Sequence, residues 1–214
     1  MAVTDQEAWE KYPTLHLFHN KLWVADKLGY KCGPVGIPIP EDGKYIVRPT
    51  YNVNGMGAGA KVGMFKKGDI HVGPLGYFWC EFFEGIQYSI DYIWNVNIGH
   101  WIPSACYVGT KLESNLTRFT SWKKENKKIN APAICSIIAY EGIRKINVEF
   151  IENKAVEIHL RQSPDPGHKE LIPIWQDTPI MEVDNLYKEG YTYVESYDNA
   201  NGFITVARLG FMVK

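Results

Sequence analysis

The sequence predicts an α+β fold built mainly from antiparallel sheets with few helices. Three observations indicate it. Many short β-rich segments are separated by turn signals, only two segments show helical spacing, and strands and helices do not alternate as they do in a doubly wound sheet. The 214 residues are 45% hydrophobic and 22% charged, a composition that can bury a core and that excludes a disordered chain.

Charge and apolar patterning exclude several functional classes. The net charge of −1 gives no overall attraction to nucleic acid or to an anionic membrane, so neither is expected as a partner. No apolar stretch is long enough to span a bilayer, and the first residues lack the features of a signal peptide. The four cysteines are widely spaced and form no C-x-x-C motif, which favours free thiols. We therefore expect a cytoplasmic protein.

Two helices are predicted. The first runs over residues 14–28, because Thr14 can cap it, apolar residues recur at helical spacing, and Gly29 supplies a stop. The second covers residues 131–140, with Asn130 as its cap.

The strands are predicted from β-rich runs bounded by turn residues. They are expected at residues 44–48, 60–65, 77–83, 87–94, 101–108, 146–150, 156–161, 191–195 and 203–208. Residues 33–40 are rich in proline and are expected to form an extended connector. Residues 113–128 are polar and charged and are expected to be an exposed excursion.

The hairpin formed by the sixth and seventh predicted strands carries an acidic pair. Side chains alternate along a strand, so Glu157, His159 and Arg161 share one face. If the turn is centred on Asn153, Glu149 lies opposite Glu157, and like charges placed so destabilise a sheet. A divalent cation such as Mg2+ would reverse that cost, since it prefers carboxylate oxygens. The alternative is a hairpin whose polar face lies in water.

A glycine-rich loop separates the first two predicted strands. Gly55, Gly57 and Gly59 occupy alternate positions, and glycine lets backbone N–H groups approach a phosphate closely. Arg48 before the loop and Lys61 after it could reach phosphate oxygens. No G-K-[ST] and no helix follow, so the loop is neither a P-loop nor a dinucleotide fingerprint. The alternative is an ordinary hairpin tip.

The third predicted strand ends in acidic, aromatic and glycine residues. Glu81, Phe82 and Phe83 are followed by Gly85 and Gln87. Such a segment could place backbone groups and a carboxylate at the edge of a purine. By its chemistry alone, it is a buried strand followed by a turn.

Taken in this order, from about residue 20 to residue 166, the motifs resemble those of the ATP-grasp superfamily, which includes carboxylate–amine ligases. The resemblance implies a two-lobed ATP-grasp fold, with a small N-terminal lobe at residues 1–78 and a C-terminal lobe carrying the nucleotide and metal site at residues 79–214. It implies ATP and Mg2+ as cofactors.

The resemblance also implies roles for individual residues. The nucleotide-binding set is Lys21, Arg48, Gly55, Gly57, Gly59, Lys61, Glu81, Phe82, Phe83 and Gln87. The metal ligands are Glu149, Glu157 and His159, and the catalytic residues are Lys21, which touches ATP phosphate, and Arg161, which contacts the acyl substrate or phosphate.

Three residues depart from the family's pattern. Arg48 stands where lysine is usual, Gln87 where a glutamate commonly holds the ribose, and His159 where asparagine usually binds a second magnesium ion. Neutral imidazole is a poorer partner for Mg2+ than an oxygen ligand. The family usually carries a preceding α/β domain, so a homodimer or a partner chain is expected to complete the acceptor site.

The function implied is an ATP- and Mg2+-dependent ligase that joins a small-molecule carboxylate to an amine or thiol through an acyl phosphate. One alternative is a nucleotide-binding ATP-grasp protein without ligase activity. Another is a non-enzymatic β-rich binding module, whose seven tryptophans would suggest a carbohydrate ligand.

Overall fold

The computed structural model describes residues 4–51, 57–112, 116, 118–198 and 206–214. Within these ranges the chain forms two antiparallel sheets, one of four strands and one of eight, together with short helices. The predicted α+β class, with mainly antiparallel sheets and few helices, is confirmed. In the described part of the chain, no helix is long and apolar enough to cross a membrane.

The helices are all short. They are α1 (Asp5–Lys11), α2 (Lys21–Lys27), α3 (Ser136–Tyr140) and α4 (Ile180–Lys188), with 3-10 turns at Pro13–His19 and Ala133–Cys135. Helices α1 and α2 begin where the side chains of Thr4 and Asn20 each accept a hydrogen bond from a first-turn N–H. Each cap places a buried charged residue at the first position of its helix, Asp5 in α1 and Lys21 in α2.

The smaller sheet has the strand order β1-β4-β2-β3. Its strands are β1 (Cys32–Pro34), β2 (Gly43–Pro49), β3 (Lys61–Phe65) and β4 (Tyr77–Glu81). Tyr45 and Trp79 belong to one small apolar cluster, while Phe78 and Cys80 pack with Ala25 of α2 in another. Helix α2 is therefore anchored to this sheet.

The larger sheet has the strand order β11-β12-β10-β7-β6-β5-β8-β9. Its strands are β5 (Gln87–Asn95), β6 (His100–Lys111), β7 (Phe119–Lys124), β8 (Lys145–Ile151), β9 (Lys154–His159), β10 (Glu170–Trp175), β11 (Thr192–Asp198) and β12 (Arg208–Val213). Ile90, Ile146 and Val148 pack with Leu15 and Ile138 in the main core. Because side chains alternate, the polar residues between them on β5 and β8 face the other way.

Both helix predictions need correction. The single helix expected at residues 14–28 is wrong, because Asn20 adopts an extended conformation (φ −86°, ψ 99°) and divides a 3-10 turn from α2. The helix expected at residues 131–140 begins as the 3-10 turn Ala133–Cys135, and Asn130 does not cap it, since Pro132 precedes that turn without a side-chain cap.

The strand predictions are confirmed over most of the chain, with some errors. Residues 113–128 are not only an exposed excursion, because β7 lies inside the larger sheet between β6 and β10. The strand expected at residues 203–208 begins only at Arg208, and residues 203–205 lie outside the described part of the chain. Strands β1 and β10 and helices α1 and α4 were not predicted.

The predicted division into lobes at residue 78 stays a prediction. Strand β4 belongs to the smaller sheet and β5 to the larger one. The chain therefore changes sheet between Glu81 and Gln87, a few residues later than that division.

Candidate functional site

A cleft of about 1660 Å³ is lined by residues of both sheets. The smaller sheet contributes Arg48 and Lys61, and the larger sheet contributes the polar face of β5, β8 and β9. The segment after β4 lines the same cleft. The structure thus gathers most of the predicted site residues around one space.

The acidic hairpin forms one wall of this cleft. Glu149 of β8 lies directly opposite Glu157 of β9, so the predicted register is confirmed. The turn is tighter than expected, since Ile151 pairs with Lys154 across two residues, and a bulge at Val156 restores the register. The bulge is therefore what sets the two carboxylates face to face.

Glu157 is held by two cations. Its Oε1 accepts hydrogen bonds from Lys21 Nζ at 2.6 Å and from Arg48 Nη1 at 3.2 Å. Arg48 Nη2 also donates to the carbonyl of Val156, the extra residue of the bulge, at 3.1 Å. Burial alone would raise the pKa of Glu157, but Lys21 and Arg48 outweigh it and lower that pKa to about 2. These two cations therefore favour the ionised form of Glu157 near neutral pH.

Glu149 has a different environment. Its Oε2 accepts a hydrogen bond from Gln87 Nε2 at 2.9 Å, and neither Lys21 nor Arg48 bonds to it. Burial, and then the charge of Glu157, raise the pKa of Glu149 above its ordinary value. Gln87 thus donates to this carboxylate, and its expected contact with a ribose stays a prediction.

His159 lies beside both glutamates and is fixed from behind by Asp5. Its Nδ1 lies 3.0 Å from Asp5 Oδ1, while its Nε2 lies 3.9 Å from Glu149 Oε1 and 3.7 Å from Glu157 Oε2. Burial would lower the pKa of His159, but the Asp5 carboxylate outweighs it and the pKa is raised. Arg161 Nη2 donates to Asp5 Oδ2 at 2.6 Å, so the predicted catalytic Arg161 also braces this residue.

The predicted phosphate-binding residues differ in where they lie relative to the cleft. Gly57 and Lys61 line the cleft, and Arg48 lines it while paired with Glu157. Gly59 has a positive φ of 76°, and a Cβ there would lie 2.7 Å from the Tyr77 hydroxyl, so glycine is needed at this position. Lys21 lies behind the acidic pair with its side chain 8% exposed, and its contact with ATP phosphate stays a prediction. The remaining member, Gly55, lies outside the described residues.

The segment expected to hold the purine also lines the cleft. Phe82 and Phe83 line it between flanking lysines, with Lys44 Nζ 4.8 Å from the Phe82 ring centroid and Lys154 Nζ 4.1 Å from that of Phe83. Glu81 Oε1 accepts from the Lys31 N–H at 3.0 Å, so this carboxylate is engaged with the protein backbone. Its contact with a purine stays a prediction.

Sequence reasoning missed two residues of the site. Asp5, 7% exposed, reaches His159 from α1, a helix whose only sequence signal is the Thr4-x-x-Glu7 capping pattern. Lys111, at the end of β6, lines the cleft and interacts electrostatically with both glutamates, while burial lowers its pKa. No local motif marks Lys111.

No protein-family model matches the sequence, and no curated protein matches it either. Several solved structures match the chain at low sequence identity. A protein from Archaeoglobus fulgidus assigned to the ATP-grasp superfamily matches with a TM-score of 0.47 and 14% identity, over 93% of this chain and 65% of that one.

Two further solved structures are similar to the chain. L-amino acid ligase from Bacillus licheniformis matches with a TM-score of 0.41 and 10% identity, over 69% of this chain and 41% of that one. Carboxyaminoimidazole ribonucleotide synthase from Aspergillus clavatus, complexed with ATP, matches with a TM-score of 0.38 and 11% identity, over 70% and 46%. The chain spans 65% or less of the length of each of these three structures.

The three predicted metal ligands lie side by side without forming a finished coordination shell. Among the described residues, no three His, Cys, Asp or Glu side chains are arranged to hold a metal ion. Lys21 and Arg48 occupy one oxygen of Glu157. The buried Nε2 of His159 nevertheless has no hydrogen-bond partner, and it faces the two carboxylates. The raised pKa of His159 favours a protonated ring, whose Nε2–H faces both carboxylates as an ion pair.

Proposed function

We propose that the protein is an ATP-dependent ligase that joins a carboxylate to an amine or a thiol through an acyl phosphate, with a divalent cation such as Mg2+. The observation that carries the proposal is the opposed pair Glu149 and Glu157, set by a bulge on the wall of a large cleft. An ordinary sheet avoids such a pair, and a cation-bound triphosphate gives it a use. The motif order around the cleft supports the same assignment.

The residues of the smaller sheet would hold the nucleotide. Phe82 and Phe83 offer apolar surface for the purine, while Arg48 and Lys61 supply positive charge for the phosphates. Glu149, Glu157 and His159 would hold the cation, which neutralises charge developing on the transferred phosphoryl group. Lys21 keeps Glu157 ionised and in place.

The reaction needs positioning more than covalent catalysis. A carboxylate oxygen of the substrate attacks the γ-phosphorus, the bond to ADP breaks, and an acyl phosphate forms. The amine or thiol then attacks the carbonyl carbon, phosphate leaves, and the attacking group loses a proton. Lys111 and Arg161 lie on the side of the cleft formed by the larger sheet, where they can steady the acyl phosphate.

Trapping the acyl phosphate tests this proposal without knowledge of the acceptor. The protein is incubated with ATP, Mg2+, hydroxylamine and pools of small carboxylates, including amino acids. A ligase yields ADP and a hydroxamate only in a pool that contains its substrate, and Glu149→Gln abolishes both. ADP release without hydroxamate in every pool would contradict acyl-phosphate chemistry.

One observation favours a second candidate, a nucleotide-binding protein without ligase activity. Lys21 and Arg48 already neutralise Glu157, so the acidic pair is partly balanced by the chain itself. This candidate predicts tight ATP binding without turnover in the same assay. A β-rich binding module is less well supported, because it expects the two glutamates to point into solvent, whereas the side chain of Glu157 is 12% exposed.

A further inference from the structure

Cys32 and Cys80 stand directly opposite each other on the neighbouring antiparallel strands β1 and β4. The next opposed pair along this ladder is hydrogen-bonded, since the Glu81 N–H donates to the Lys31 carbonyl at 2.8 Å. Hydrogen-bonded and non-hydrogen-bonded pairs alternate along antiparallel strands, so the two cysteines form a non-hydrogen-bonded pair. In such a pair the two side chains lie closest together.

This pairing suits a disulfide bond. Opposite residues of a non-hydrogen-bonded pair have Cα atoms about 4.5 Å apart, and native disulfides join Cα atoms separated by roughly 4.4 to 6.8 Å. The two side chains point to the same face of the sheet, where both belong to one small apolar cluster with Ala25 and Phe78. The backbone spacing therefore matches that of a cross-strand disulfide.

The two thiols differ in their access to solvent. Cys32 is half-buried, whereas Cys80 is 3% exposed. Burial raises the pKa of Cys32 to about 11 and that of Cys80 to about 12, so both thiols are protonated at neutral pH. A small oxidant therefore meets Cys32 first, and the reaction is slow near pH 7 and faster as the pH rises.

The other two cysteines have a different setting. Cys106 faces Ile90 across the larger sheet, and Cys135 ends the 3-10 turn Ala133–Cys135. Both are buried in the main core. They therefore serve as internal controls for any reaction at Cys32 and Cys80.

The opposed cysteines lie at the start of the segment expected to hold the purine. Cys80 lines the cleft, and the next residue, Glu81, accepts a hydrogen bond from the Lys31 N–H at 3.0 Å, beside Cys32. A covalent bond between the two cysteines would therefore tie β1 to the strand that leads into this segment.

We propose that Cys32 and Cys80 are a redox-active pair that forms an intrachain disulfide across β1 and β4 when the protein meets a low-molecular-weight disulfide. The Cys32 thiolate attacks one sulfur of the small disulfide, which breaks that S–S bond and releases one thiolate. Deprotonated Cys80 then attacks Sγ of Cys32 and displaces the second thiolate. The two protein thiols lose two electrons and two protons, and the small disulfide is reduced to two thiols. The pair reacts in this way whether or not the cleft binds ATP.

Peptide mapping after mild oxidation tests the proposal. The folded protein is incubated with oxidised glutathione at pH 7.5 or 8.5, free thiols are alkylated, and chymotryptic peptides are identified by mass spectrometry. The wild type is expected to lose two of its four thiols, to yield a peptide joining Cys32 to Cys80, and to react about tenfold faster at the higher pH. Cys80→Ser should stop with glutathione on Cys32, and Cys106→Ala should crosslink as the wild type does.

Thermal unfolding of the crosslinked protein gives an independent measurement. The disulfide should raise the midpoint by roughly 5 °C, because it closes a long loop in the unfolded chain, and a reductant should reverse the gain. Four free thiols after prolonged oxidation, or wild-type protein that keeps glutathione on Cys32 beside a free Cys80, would overturn the inference. A crosslink that lowers the midpoint would also overturn it, since the bond would then distort the paired strands.

Discussion

Glu149 and Glu157 face each other across neighbouring strands, yet only Glu157 is held by cations. The pKa of Glu157 is lowered to about 2 against the effect of burial, while burial and its neighbour raise the pKa of Glu149. The pair is therefore asymmetric. Glu157 is a structural anion locked to Lys21 and Arg48, and Glu149 is the acid whose charge is unfavourable until a cation approaches.

This asymmetry predicts opposite effects of two matched substitutions on the protein without nucleotide. Glu157→Gln should lower the free energy of unfolding by about 3 kcal/mol, because it leaves the buried charges of Lys21 and Arg48 without their anion. Glu149→Gln should be neutral or stabilise by about 0.5 kcal/mol, because it removes a like-charge pair while Gln87 keeps a partner. Urea unfolding at pH 7 measures both, and equal losses would contradict the asymmetry.

Acid sensitivity should arise partly from His19. Burial lowers the pKa of His19 to about 4, with the Asp5 carboxylate opposing that effect, and its Nε2 has no hydrogen-bond partner. The folded state binds a proton at His19 less readily than the unfolded state does. The free energy that neutral His19 contributes to folding is therefore fully present above about pH 6.5 and is lost as the pH falls towards 4.

Comparison with His19→Gln isolates this effect. The wild type should lose roughly 2 kcal/mol more than the variant between pH 7 and pH 4. Urea unfolding at several pH values provides the measurement, and parallel stability profiles of the two proteins would show that His19 is not buried in its neutral form.

The segment expected to hold the purine should depend on Gly85. Its φ of 131° lies outside the range that other residues adopt, and a Cβ there would lie 2.5 Å from Glu152 Cγ. Glu152 Oε1 accepts from the Ile86 N–H at 2.8 Å, so it cannot move without losing that bond. Gly85→Ala should therefore cost about 2 kcal/mol of stability and weaken ATP binding. Gly36 also has a positive φ, of 90°, but nothing lies near the position of an added Cβ. Gly36→Ala therefore measures the cost of backbone strain alone, without a steric clash.

How far the sequence predicts this site depends on the range of the contact. The opposition of Glu149 and Glu157 is predicted by strand alternation and a turn centred on Asn153, whereas the tighter turn and the compensating bulge at Val156 that produce it have no local signal in the sequence. The contact between Asp5 and His159 joins residues 154 positions apart, and no local pattern signals it.

The helix expected at residues 14–28 fails for a different reason. Its apolar spacing is real, since Leu15, Phe18 and Ala25 are all buried. Asn20 prefers to cap the following helix, however, and its side chain accepts from the Trp23 N–H at 2.9 Å. A capping interaction of about 1 kcal/mol was therefore enough to divide a segment that periodicity alone would join.

Lys111 should strengthen nucleotide binding. Its side chain lines the cleft, with Nζ 5.1 Å from the Phe119 ring centroid, and it interacts with both glutamates. Lys111→Met should weaken binding of ATP in the presence of a dication by about tenfold, since one charge near the phosphates is lost. Lys111→Arg should retain most of the affinity. Lys67→Met changes an exposed lysine outside the cleft lining and serves as the control. Equal affinities of the two methionine variants would place Lys111 outside the binding site.

Calorimetric titration of ATP, with and without Mg2+ or Mn2+, into the wild type and Glu149→Gln measures whether the acidic pair binds a cation together with the nucleotide. The wild type should bind ATP only with a dication, and Glu149→Gln, although as stable as the wild type, should lose at least tenfold in affinity, within the range for charge-assisted contacts. Binding that is equally tight in both proteins, or absent from both with either dication, would contradict a cation site at the acidic pair.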